Sequence, residues 1–381
     1  MQTAAEAGKM RFESLTGLRT LAAVWVVIYH FKEEIVKLFP HLPAPLLEFV
    51  NTGGLGVDVF FVLSGFVISY NYATTFKNFD GKTYRRYLWL RLARIYPLHL
   101  AVLFAYAALL FIASRGYGTV NNPEDFTLSS LLTYLLLIQA WGFEIEGWNK
   151  PAWSITAEWF AYLTFPVTRA LTARLSPGGL LLCSVMALVL VPIMAANATG
   201  AALHFVNITR LICEFTVGCC LYWMHAKGMG RHLPWSPIAA VSLLAVPVVA
   251  TVCSSLGVIS YWATLPIGVM VYALIQARGP IATWLSSRPM VFWGQVSYAV
   301  YLTHLLTRSL LTRVINPDAF VDAATPVKIG VLLAFAVGIG TVATLAFLFI
   351  EEPARKWMRR RYDQRISGRV PGAAIQPEQR G

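Results

Sequence analysis

Among the ionisable residues inside otherwise apolar runs of this chain, His30, Asp58 and Glu158 are the most informative. An ionisable side chain in a hydrocarbon layer costs free energy and persists mainly where it lines a polar site or pathway. His30 closes the run RTLAAVWVVIYH, eleven residues after Arg19. Eleven residues at 100° each complete three turns with about 20° of drift, so both side chains share one helix face, roughly 16 Å apart along the axis. That stride reaches from a membrane surface to about mid-bilayer. A cation at the rim and a titratable base at the centre of one stripe suit a catalytic channel, with imidazole as general base or nucleophile.

The other polar positions fall into similar stripes. Asp58 follows the glycines 53, 54 and 56 in NTGGLGVDVFFVLSGF; it either caps a helix start or meets His30 and orients its ring. In YRRYLWLRLARIYP, Arg91 and Arg94 are three apart and share a helix face. Such residues bind anionic headgroups, and their forked guanidinium groups equally suit the phosphates of a cytoplasmic donor. Ser154, Glu158 and Tyr162, four apart in WNKPAWSITAEWFAYLTFP, make a polar stripe on an aromatic span. Ser297, Tyr301, His304 and Arg308 make another in GQVSYAVYLTHLLTR. Ser154, Tyr162, Tyr301 and His304 are therefore candidate acceptor-binding groups, although Ser, Tyr and His also join spans to one another. Glu214 is a lone carboxylate with no evident partner. None of the five cysteines makes a CxxC pair or keeps metal-ligand spacing with histidine, so no metal is expected.

The elements that must position these residues are membrane helices. Hydrophobic residues make up 57% of the 381, charged residues only 13%, and mean hydropathy is +0.58; a soluble domain carries about a quarter charged residues. The net charge of +12 concentrates beside apolar runs, as the positive-inside rule describes, and no nucleic-acid role is expected. The first residues lack the compact apolar core and small-residue cleavage site of a secretory signal. Windows of about 20 apolar residues fall near 20–39, 52–72, 96–114, 153–172, 178–196, 205–225, 236–254, 257–277, 290–312 and 327–350. If the fourteen-residue run 128–141 crossed, Arg169, Arg174 and every later basic loop would be inverted, so the positive-inside rule favours a non-spanning run. The expected fold is all-α: a polytopic membrane helical bundle of about ten transmembrane helices, with a non-spanning or re-entrant segment near 120–150. Both termini then face the cytoplasm, one membrane domain covers 1–360, and 361–381 is a cytoplasmic tail, disordered from Gly368 onward.

In order along the chain, FESLTGLRTLAAVWVVIYH, GGLGVDVFFVLSGF, RLAR, AWSITAEWFAY, SYAVYLTH and IEEPARK resemble the acyltransferase-3 family of integral-membrane O-acyltransferases. The resemblance runs from Phe12 to Lys356. Each piece is weakly specific, and the ordered set is strongly so. It implies that His30 is the principal catalytic residue, that Arg19, Arg91 and Arg94 serve the donor side, and that the donor is acetyl-CoA or another acyl-CoA. The implied acceptor is a hydroxyl of a saccharide or lipid-linked glycan, in a bacterial inner membrane. Where the family frequently has two glutamates, this chain has Ala157–Glu158. On this reading His30 is a general base or transient acyl carrier, Asp58 orients it, and Glu158 and Tyr162 bind the acceptor. The rival is a proton-coupled transporter or glycan exporter with His30, Asp58 and Glu158 as its relay.

Overall fold

The computed structural model describes residues 4–116, 123–142, 147–200 and 202–367, and the described residues contain helices and no strand. The tail from Gly368 and parts of the segment near 120–150 lie outside them. In chain order the helices are α1 Ala4–His30, α2 Lys32–Leu38, α3 Ala44–Asn51, α4 Gly56–Tyr72, α5 Gly81–Ser114, α6 Leu128–Leu136, α7 Trp153–Ala173, α8 Pro177–Asn197, α9 Ala202–Ala226, α10 Trp235–Ser255, α11 Thr264–Gln276, α12 Pro280–Leu285, α13 Arg288–Val314, α14 Thr325–Ala346 and α15 Glu352–Ser367. An all-α membrane bundle is thus observed.

Six stretches are long and apolar enough to cross a bilayer, or seven if the bent pair α1–α2 counts as one span. Ten were expected. Each of the ten windows does carry a helix, but α7 and α13 are interrupted by the polar stripes described above, and α11 has only 13 residues. The nine-residue α6 is too short to span at 1.5 Å per residue. It starts on a Thr127 cap and stops at Leu137, which adopts left-handed backbone (φ 57°).

The helix ends follow from local chemistry. Asp80 caps α5 by accepting the Thr83 N–H at 2.9 Å, and Ser176 caps α8 through Gly179. Prolines sit in the first turn of α8, α12, α13 and α14, where no N–H is missed. Between α14 and α15, Phe347–Glu351 forms a π turn, whose extra residue turns Glu351 into the interior.

α4 is the innermost span: 78% of its apolar window is buried, against 22–33% for α5, α8, α10 and α14. It crosses α9 with backbones touching, since a Cβ on Gly65 would lie 2.1 Å from the Phe215 carbonyl oxygen. α1 packs on α13 just as closely at Gly294. Exposed Phe104, Phe111, Leu182, Leu244 and Val337 on the outer helices give the apolar surface that a bilayer covers. This is an integral membrane protein.

Candidate active site

α1 is one unbroken helix from Arg19 to His30, and the chain then bends by 62° into α2. His30 therefore sits on the last turn, half-buried, at the corner. Its Nδ1 lies 2.9 Å from the Val26 carbonyl oxygen. A carbonyl only accepts, so Nδ1 carries the hydrogen and Nε2 keeps its lone pair. The ring of His304, fully buried on α13, stands 4.8 Å from that of His30, edge to face. Its Nδ1 points at the carbonyls of Tyr301 (2.7 Å) and Val300 (3.2 Å). His304 Nε2 is buried without a hydrogen-bond partner. Around the pair, Arg308 is held by Glu34 at 2.7 Å and Glu33 at 2.9 Å, which ties α13 to α2.

The expected donor-side arginines form a second cluster with Glu158. Arg19 Nε donates to Ser297 Oγ at 3.2 Å, and its guanidinium lies 5.6 Å from the Phe60 ring centre. Arg94, Glu158, Glu351 and Tyr162 are all within electrostatic reach of Arg19. Glu158 Oε1 accepts from Tyr162 at 2.5 Å and from Ser64 at 2.7 Å, and neither donor uses its other oxygen. Glu158 and Tyr162, read from the sequence as acceptor-binding groups, thus sit beside the arginines read as binding the donor. Arg91 donates to the Tyr72 hydroxyl at 3.0 Å, and its buried Nε has no protein partner. Arg94 is engaged by Glu351, a carboxylate only 1% exposed at the π turn.

Asp58 does not orient His30. Arg210 Nε and Nη2 take both its oxygens at 2.7 and 2.6 Å, in a pair 4% and 0% exposed. Glu214 stands 3.8 Å from the same guanidinium, which also donates to Tyr261 at 3.1 Å. The orienting contact of His30 comes from Val26 instead. Ser154 and Tyr301 are also committed: Ser154 donates to the Tyr301 hydroxyl at 2.7 Å, and Tyr301 donates to the Pro151 carbonyl at 2.8 Å. They join the start of α7 to α13. Among the described residues, His30, Asp58 and Glu158 have separate hydrogen-bond partners and none in common.

Two residues escaped the sequence reading. Arg210 lies four residues before Glu214, a spacing that could have signalled the pair. Glu351 lies in IEEPARK, where nothing local says that one of two adjacent glutamates turns inward.

His30, at the end of α1, and Arg19, three turns before it, thus face two separate polar clusters along one helix. Residues 12–351 match the family described as the acyltransferase domain. The chain belongs to that family. Among its relatives, the acyltransferase MdmB of Streptomyces mycarofaciens is 29% identical over 320 residues, covering 78% of this chain and 79% of MdmB. The O-acetyltransferase OatA of Staphylococcus aureus (strain NCTC 8325 / PS 47) is 22% identical over 375 residues, 90% of this chain and 57% of OatA. The acyltransferase thus spans little more than half the length of OatA. No solved structure matches it.

Proposed function

We propose that this acyltransferase moves an acyl group, acetyl in the simplest case, from acyl-CoA to a hydroxyl of a cell-surface or lipid-linked saccharide. Arg19 and Arg91 hold the phosphates of the donor on the cytoplasmic side, and Arg94 supports them from its pair with Glu351. The pantetheine arm then lies along the α1–α13 seam with its thioester toward His30. The observation that carries this reading is the Nδ1–H bond from His30 to Val26, which fixes the tautomer with Nε2 as base.

In the reaction His30 Nε2 takes the proton of the acceptor hydroxyl while its oxygen attacks the thioester carbon. The C–S bond breaks, CoA leaves as the thiolate, and the proton on His30 returns to sulfur or to solvent. Attack by Nε2 itself, through an acyl-imidazole, is the alternative route at the same nitrogen. Incubating membranes that contain the full chain with acyl-labelled acetyl-CoA tests the proposal. Label should enter a glycan fraction with wild type and not with His30→Ala, and label retained on the protein would mark the acyl-imidazole route. Equal incorporation in both, or none with wild type, would overturn it.

A further inference from the structure

His304 is buried beside the proposed base and its Nε2 meets no protein donor. A neutral histidine in an apolar interior ordinarily finds partners for both nitrogens, because an orphaned buried polar atom costs on the order of 1–3 kcal/mol. Here the Nδ1–H is satisfied by the carbonyls of α13, so the tautomer is fixed and the orphan is an acceptor. His30 presents the same arrangement from α1: Nδ1–H on a carbonyl, Nε2 as lone pair. Two lone-pair nitrogens therefore belong to rings 4.8 Å apart at 60°. In the resting protein they have no proton to share. They acquire one when His30 takes the acceptor's proton.

We propose that His304 Nε2 is the positioning acceptor for that proton, sharing the transient positive charge of His30 between two rings. The inference rests on the base role of His30 given above. The acceptor O–H bond breaks, its proton binds His30 Nε2 and hydrogen-bonds to His304 Nε2, the oxygen's electron pair forms the new C–O bond, and the thioester C–S bond breaks with its pair leaving on sulfur. The same proton leaves with the CoA sulfur. The surroundings make such a partner necessary. The charges that reach His30 most strongly are Arg308 on α13, Lys150 before α7 and Lys32 on α2, all cations. Glu33 and Glu34 on α2 are each paired with Arg308 through one oxygen, and Glu34 Oε2 is buried without a hydrogen-bond partner. No carboxylate hydrogen-bonds either ring among the described residues, so the neutral His304 nitrogen is the group at hand to receive the imidazolium N–H.

The test compares wild type, His30→Ala, His304→Phe and His304→Gln, each as the full chain in membranes with labelled acetyl-CoA. Phenylalanine keeps a ring but no acceptor, whereas glutamine restores an acceptor oxygen. We expect His304→Phe to lower kcat about 100-fold, with KM for acetyl-CoA changed less than about twofold, and His304→Gln to recover about tenfold of the loss. Monodispersity and thermal midpoint of the solubilised variants show whether they fold. Phe and Gln variants of equal kcat, or a Phe variant with wild-type kcat, would overturn the inference while leaving the His30 reading intact if His30→Ala is dead. A wild type without label transfer would overturn both.

Discussion

Removing the Asp58 carboxylate should unfold this protein more readily before it alters any chemistry. In Asp58→Ala, the guanidinium of Arg210 stays where it is, 4% exposed, without the two short bonds that neutralised it. Stranding one member of a buried ion pair costs about 3–5 kcal/mol. Glu214 at 3.8 Å and the Tyr261 hydroxyl at 3.1 Å absorb part of this, so the lower end, about 3 kcal/mol, is the working figure. That is roughly two powers of ten in the folded-to-unfolded ratio. Replacing both partners, as Asp58→Leu with Arg210→Met, removes the stranded charge and should regain most of the loss. Heating the detergent-solubilised full chain and measuring the monodisperse fraction reads both variants. The reasoning fails if Asp58→Ala keeps wild-type stability, or if the double variant is no better than the single. A folded Asp58→Asn that loses acyl transfer as completely as His30→Ala would return Asp58 to the reaction itself.

The arginine cluster gives two further expectations. Arg91 has a buried Nε with no protein partner, so Arg91→Ala should raise KM for acetyl-CoA about tenfold or more while the thermal midpoint holds, measured by initial rates and by melting of the solubilised protein. Arg94 is the partner of a carboxylate 1% exposed. Arg94→Ala should lower the thermal midpoint, and adding Glu351→Gln should restore most of it, because the neutral amide no longer needs a counter-charge.

Helical periodicity made local relations legible and left the lateral ones hidden. Arg19 and His30 do share one unbroken helix, and Glu158 and Tyr162, four apart, are hydrogen-bonded to each other. The partner of Asp58 lies 152 residues away on α9, and hydropathy gives the helices that cross a membrane without giving which of them touch. Periodicity likewise could not show that Glu158 meets Ser64 of α4 and lies within electrostatic reach of Arg19 of α1. Each apolar window coincides with a helix, yet only six or seven stretches are long and apolar enough to span, because hydropathy windows overlook the polar stripes of α7 and α13 and the shortness of α11.

The seam between α1 and α13 carries both ends of the proposed route, with Arg19 against Ser297 and His30 against His304. Its width is set at Gly294, where an added Cβ would lie 1.9 Å from the Thr16 backbone oxygen. A backbone atom cannot rotate away, so in Gly294→Ala the two helices must part locally by roughly 1.5–2 Å to reach ordinary contact distance. Gly294 precedes His304 by ten residues, about 15 Å along the helix, so it touches neither ring. A misplacement of about 1 Å at reacting groups costs on the order of 100-fold in rate. Gly294→Ala should therefore lose about that much acyl transfer while the chain still inserts and stays monodisperse. Gly330→Ala, where nothing lies within 4 Å, should be silent. Equal activity in the two variants would mean that the seam does not set the distance between donor and base, and that the thioester reaches His30 by another path.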